Sequence, residues 1–162
     1  MQKAFFLVVA AGIGVGLAWP SGRSQAPTAP AVSTASVQGH GDEPKETVLE
    51  RSDGGHFYAD VEINGELVHV LVDTGASSVA LTERDAERIG LAFDRGAYEQ
   101  VGVGASGPVR GKFVTLDKVS LDGKSAHKVE GAILEGSDIS LLGQEYLGRF
   151  SIEMRGDTMR IY

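Results

Sequence analysis

Val70-Leu71-Val72-Asp73-Thr74-Gly75-Ala76-Ser77 is the stretch on which the fold of this chain turns. Three apolar residues run into an acid, a hydroxyl and a glycine. An ionised carboxylate that follows an apolar run is costly to bury unless something satisfies it. The plain account is a turn in which the Asp73 side chain accepts from nearby backbone amides. The functional account is a reactive carboxylate held at the end of a buried strand. These residues alone do not choose between the two.

Upstream, Phe57, Ala59, Val61 and Ile63 alternate with His56, Tyr58, Asp60 and Glu62, the period of a half-buried strand. Asn64-Gly65 then supplies a tight hairpin turn. The returning strand, 67–72, loses its alternation, which predicts deep burial at the far end where Asp73 stands. Further strands are predicted at 79–81, 98–103, 109–116, 118–121, 128–134, 150–154 and 158–162, with turns at Asp122-Gly123 and Gly156-Asp157. Two short helices interrupt them. Thr82-Glu83-Arg84-Asp85 resembles a capping box, Ala86 and Ile89 can face a core, and Gly90 suits a helix end. The second helix is predicted at 144–148. The pattern is that of a mostly-β single-lobe domain, a closed or nearly closed barrel with one or two short helices.

Composition narrows the function. Fifteen Lys and Arg stand against 22 Asp and Glu, for a net charge of -7, and no segment gathers cations to meet a phosphate backbone. Nucleic acid is therefore not an expected partner. Zero cysteines exclude a disulfide scaffold, a thiolate nucleophile and Cys-based metal sites. His40, His56, His69 and His127 show no ligand spacing such as His-Glu-x-x-His. No metal and no cofactor is expected.

The N-terminal part is of another kind. Residues 4–19 form an uncharged apolar run that follows Lys3 and ends before Pro20. They read as a targeting segment, residues 1–19, of a length between a signal-peptide core and a spanning helix. The candidate cleavage sites are poor, which favours an uncleaved single-pass anchor; removal of the segment, leaving a soluble domain, is the alternative. Lys3 on the cytoplasmic side would place the rest beyond the inner membrane, in the periplasm. Residues 20–45 hold Pro20, Pro27, Pro30 and Pro44, four of the five prolines, among Ser, Ala, Thr and Gly. This is the composition of a flexible tether. The folded domain is expected over 46–162.

Two stretches carry a resemblance. HFYADVEINGELVHVLVDTGASSVALTERDAERIGL, 56–91, and ISLLGQEYLGRFSIEMRGDTMRIY, 139–162, resemble the retropepsin-like aspartic proteases. The likeness is to the bacterial subgroup with an N-terminal membrane segment and a single small protease domain. The resemblance implies a retropepsin-like barrel in which 70–76 is the catalytic loop, with Asp73 as the catalytic carboxylate. It also implies that Leu141-Leu142-Gly143 crosses beneath that loop before the short helix.

Two carboxylates side by side share one proton and titrate apart, so that one acts as base on water while the other donates to the carbonyl oxygen. Only one Asp-Thr-Gly is present, so the resemblance implies a homodimer with a two-fold axis through the site and a protein or peptide substrate. Thr74, Gly75 and Ala76 would support the loop: Thr74 by a bond across the two-fold, Gly75 through its N–H. Ala76 adds no hydroxyl donor, which predicts an optimum at about pH 5–6.

The segment 98–115 is predicted as a covering flap with its tip at 104–108, the alternative being an ordinary glycine-rich hairpin. Ser77, Gly102, Val103, Gly104 and Leu142 are the candidate substrate-lining residues. Ser77 and Gln144 occupy places where retroviral enzymes carry a paired acid and arginine, so both charges have gone together. The competing readings are a weak or inactive dimeric peptide-binding β-domain, and a monomeric domain in which Asp73 is structural.

Overall fold

A computed structural model describes residues 44–104 and 107–162. The anchor and nearly all of the tether fall outside the described residues. Among the described residues ten strands, two short α-helices and one 3-10 turn follow one another: β1 Thr47–Glu50, β2 Phe57–Ile63, β3 Glu66–Val72, β4 Val79–Thr82, α1 Glu83–Arg88, the 3-10 turn Arg95–Ala97, β5 Glu99–Gly104, β6 Gly107–Leu121, β7 Lys124–Leu134, β8 Ser140–Leu142, α2 Gln144–Leu147, β9 Ile152–Arg155 and β10 Thr158–Ile161. The main sheet runs β2-β3-β8-β4-β7-β6-β5, and β2 also pairs with β6. That last pairing, Glu62 with Ser120 and Ile63 with Val119, closes six strands into a barrel and leaves β5 as a flange on β6. A second sheet, β1-β10-β9, adds Met159 and Ile161 to the same core.

The alternation of β2 is realised in full: Phe57, Ala59, Val61 and Ile63 all point inward. Asn64 and Gly65 both take the left-handed backbone that a two-residue hairpin needs, with φ of 51° and 94°. Asn64 also holds the closing strand, because its side-chain oxygen accepts from the Asp117 and Lys118 amides at 2.8 and 3.2 Å. At the other end of the chain, Gly156, φ 56°, opens the β9–β10 turn.

Three expectations need correction. β3 keeps its alternation: Val68, Val70 and Val72 are buried, whereas Leu67 is 63% exposed and Leu71 half-buried. A barrel wall is one layer thick, so an apolar strand in it still has an outward face. The strands read as 109–116 and 118–121 are one strand, β6, since β7 pairs with both parts in unbroken register. Only Asp117 and Lys128 drop out of that ladder, where Lys128 has φ 51° and its ammonium pairs with the Asp117 carboxylate. Finally β1 and β8 are strands that the sequence pattern does not announce: Thr47-Val48-Leu49-Glu50 sets two apolar residues side by side without alternation, and β8 has only three residues.

The entry to the domain is pinned by a buried cation. Lys124 is 2% exposed; its ammonium donates to the Lys45 carbonyl and, at 2.8 Å, to the Thr47 hydroxyl, which in turn donates to Asp122 at 2.6 Å. Burial pulls the Lys124 amine below its usual range, against the pull of Asp122 and Glu46. The carbonyl of the same lysine accepts from the Tyr146 hydroxyl at 2.6 Å, so α2 is bolted to the β6–β7 turn. Tyr146 is fully buried, and burial raises its phenol far above the ordinary value. Tyr146→Phe leaves the Lys124 carbonyl without this donor and is expected to cost about 1–2 kcal/mol, read by urea unfolding at neutral pH.

Candidate active site

β3 delivers Asp73 to the end of the barrel, and β8 crosses beside it. Val70, Leu71 and Val72 pair in parallel with Ser140, Leu141 and Leu142, and the Asp73 amide continues the ladder by donating to the Leu142 carbonyl at 3.0 Å. The chain then turns tightly. The Asp73 carbonyl accepts from Ala76 at 3.2 Å, and its side-chain Oδ1 accepts from the Gly75 amide at 2.8 Å. Ala76 is fully buried beneath the loop, Asp73 and Gly75 are half-buried, and Thr74 is exposed at the tip.

The loop rests on the start of α2. Gln144 N–H donates to the Ala76 carbonyl at 2.8 Å and Glu145 N–H to the Ser77 carbonyl at 2.9 Å. The Gln144 side chain reaches further and donates from Nε2 to the Thr74 carbonyl at 2.8 Å. Gly143 makes this approach possible: a Cβ there would lie 2.3 Å from the Ser78 carbonyl oxygen and 2.7 Å from that of Ala76. Among the described residues, no Lys, Arg or His forms an ion pair with Asp73. The carboxylate therefore has one backbone donor and no fixed counter-charge, and it retains acceptor capacity for a water or a second acid.

The other sequence-predicted residues separate into two groups. Ser77 is half-buried in the same loop, while Gly102, Val103 and Gly104 lie at the end of β5, half-buried except for Val103, which is 38% exposed. β5 and β6 form the expected hairpin, closing at Gly104 and Gly107, and the tip residues 105–106 lie outside the described residues. Leu142 belongs elsewhere. It is fully buried in the core, paired with Val72, and has no surface to offer a substrate, so its expected lining role is corrected. His69 and Asp60 form a cross-strand pair at 2.8 Å on the outer wall. Among the described residues no group of three or more His, Cys, Asp or Glu is placed to hold a metal.

Residues 59–149, more than half of the chain, match the family model described as "gag-polyprotein putative aspartyl protease". The chain belongs to the retropepsin-like aspartic protease family. The matched span takes in the Asp73 loop, α1, the β5–β6 hairpin, β8 and α2, and stops short of β9 and β10. A retropepsin-like aspartic protease from Rickettsia conorii superposes with a TM-score of 0.61 at 32% identity, over 74% of this chain and 90% of that one. An uncharacterized protein in the cobV 5' region of a Sinorhizobium species is 34% identical over 72% of this chain and 52% of its own length. The uncharacterized protein RP867 of Rickettsia prowazekii (strain Madrid E) is 35% identical over 65% of this chain and 46% of its own. The chain thus spans about half the length of these two relatives.

Within this retropepsin-like chain, one cluster went unread in the sequence. Tyr98, at the foot of the hairpin, donates its hydroxyl to Glu83 of α1 at 2.5 Å, and Arg95 grips the other oxygen of Glu83 at 3.0 Å and Glu87 at 2.8 Å. Arg110 of β6 donates to the Tyr98 carbonyl at 3.2 Å and pairs with Glu135 at 3.3 Å. The hairpin is thereby latched to α1 at its base. Glu83 and Tyr98 stand 15 positions apart on elements of different period, so no sequence spacing announces the contact.

Burial, and then the bond to Glu83, push the Tyr98 phenol up to about 12. The Tyr98 hydroxyl first, and Arg95 second, hold the Glu83 carboxyl below its usual range. A carboxyl depressed by folding stabilises above its unfolded value and loses that contribution as pH falls through the folded one. Tyr98→Phe is accordingly expected to destabilise the domain at pH 7, with the difference from wild type shrinking below about pH 4. Urea unfolding at neutral and acid pH measures it.

Proposed function

We propose that this chain is an aspartic endopeptidase that works as a homodimer, each protomer contributing one Asp73. The observation that carries the reading is the state of that carboxylate: half-buried at the end of β3, fixed by the Gly75 amide, and without a basic partner among the described residues. Two such acids brought together cannot both ionise, and they hold a single proton between them. The ionised member takes a proton from water as its oxygen bonds to the peptide carbon, while the protonated member gives its proton to the carbonyl oxygen. Collapse of the tetrahedral species breaks the C–N bond, and the amine leaves with a proton. The net change is the addition of one water across the peptide bond. Ser77 and the end of β5, Gly102 to Gly104, are the groups proposed to meet the substrate backbone, and the β5–β6 hairpin is the proposed cover.

Among the described residues β9 is an edge strand, which supports association with a second copy. Ser151 turns its carbonyl to Tyr162, which donates at 3.0 Å, so by alternation Ile152 and Met154 direct their N–H and C=O groups outward. Met154 shares a face with Met159 and Leu49 yet is 53% exposed. An exposed apolar edge of this kind calls for a partner. Antiparallel pairing about a two-fold at Met154 would extend the Leu49–Met159–Met154 row and set Glu153 opposite the partner's Arg155. Pairing about Glu153 would oppose two like charges instead.

The apolar run 4–19 and the proline-rich stretch behind it support tethering to the inner membrane with the domain on the periplasmic side. No helix among the described residues is long and apolar enough to cross a membrane.

Peptide cleavage by the full chain tests the reading. Below the dimer dissociation constant, rate is expected to rise faster than linearly with enzyme concentration, with a bell-shaped pH profile centred at about pH 5–6. Asp73→Asn should abolish turnover and leave folding and dimerisation in place; equal cleavage by this variant would remove Asp73 from the mechanism. Arg155→Glu should weaken dimerisation about tenfold, and the Glu153→Arg, Arg155→Glu exchange should restore it, as read by sedimentation. Unaltered association of the single variant would exclude the β9 edge.

A further inference from the structure

Three carbonyls of the Asp73 loop are taken by the first two residues of α2. Ala76 and Ser77 accept from main-chain amides, which every residue but proline supplies. Thr74 accepts from a side chain, the carboxamide of Gln144, at 2.8 Å across 70 positions of sequence. A carbonyl oxygen can only accept, so the group facing it has to be the NH2 end of the amide. A Cβ at Gly148 would meet the Gln144 carbonyl oxygen at 2.7 Å, so the turn that ends α2 also packs against Gln144. The Thr74 carbonyl lies one peptide beyond Asp73 and is bonded to the Gly75 nitrogen, whose N–H holds Asp73 Oδ1 at 2.8 Å. Rotation of the Thr74–Gly75 peptide would therefore release the Gln144 bond and re-aim the Gly75 N–H together.

We propose that Gln144 is a positioning residue: its carboxamide locks the Thr74–Gly75 peptide so that the Gly75 N–H stays on the Asp73 carboxylate. The catalytic consequence rests on the aspartic protease reading; the positioning of the loop does not. Gln144 never touches substrate in this scheme. It acts on the carboxylate through one peptide plane, and small misplacements of a reacting group are expensive in rate.

Two replacements of similar length separate this role from space-filling. Gln144→Met keeps the reach and removes the donor. Gln144→Glu presents an ionised carboxylate to the Thr74 carbonyl at pH 6, but below its ordinary value of about 4.3 it carries an O–H that can donate to the same oxygen. In the full-length chain, Gln144→Met is expected to lower kcat about tenfold at every pH with KM little changed. Gln144→Glu should show the same loss at pH 6 and recover relative to wild type as pH falls below about 4.5. Amide hydrogen exchange of Gly75, followed by NMR, should accelerate in Gln144→Met while the melting temperature holds.

A Gln144→Met protein with wild-type kcat and unchanged Gly75 exchange overturns the inference and leaves the protease reading intact. A ratio of Gln144→Glu to wild-type activity that does not vary with pH also overturns it. If the wild type cleaves nothing but Gly75 exchange accelerates as expected, the protease reading fails and the positioning role stands.

Discussion

The hydrogen bond from the Asp73 amide to the Leu142 carbonyl, 3.0 Å long, is the contact on which the architecture depends. It is the last rung of the parallel β3–β8 ladder, and it brings segments 69 residues apart in sequence into one corner of the barrel. Without it the Asp73 loop would be an ordinary surface turn. With it, the loop lies across Gly143 and the head of α2, and its carbonyls find donors in a fixed order: Thr74 at a side chain, Ala76 and Ser77 at backbone amides. Close approach is what fixes the acid, and close approach is why residue 143 has no side chain.

The rest of the molecule supports that corner from two sides. Inside, Tyr146 joins α2 to the β6–β7 turn through the Lys124 carbonyl, and the ammonium of the same lysine holds the start of β1. A cation this well buried is tolerated because carbonyl and hydroxyl oxygens surround it and Asp122 stands near. Outside, the Glu83–Tyr98–Arg95 cluster secures the foot of the β5–β6 hairpin to α1. Both the carboxylate loop and the foot of the hairpin are thus held by contacts between distant segments.

Local features were legible from residues alone. Asn64-Gly65 and Asp122-Gly123 demand left-handed backbone that few other pairs supply cheaply, and the structure has it at all four positions. The Thr82 cap on α1 likewise depends on neighbours, its hydroxyl accepting from the Asp85 amide at 3.0 Å. The readings that failed concern which face of an apolar strand meets the core. Leu67 and Leu142 are the same residue type, yet one stands 63% exposed on the barrel wall and the other is wholly enclosed. Period-two patterning separates the two faces only where polar residues mark one of them consistently: in 67–72 His69 stands alone on the outward face between Leu67 and Leu71, and in 140–142 the polar Ser140 lies on the buried face with Leu142.

The sequence by itself determined that an acid follows an apolar strand, that the chain carries one such acid, and which turns and caps punctuate the barrel. Each of these is written in contiguous residues whose backbone preferences act over a few positions. Only the tertiary structure decided that Gln144 bonds Thr74, that Tyr98 reaches Glu83, that Leu142 is core, and that Met154 is left on an open edge. Those depend on which distant segments the closing of the barrel brings within hydrogen-bond reach, and no property of a single segment carries that distance.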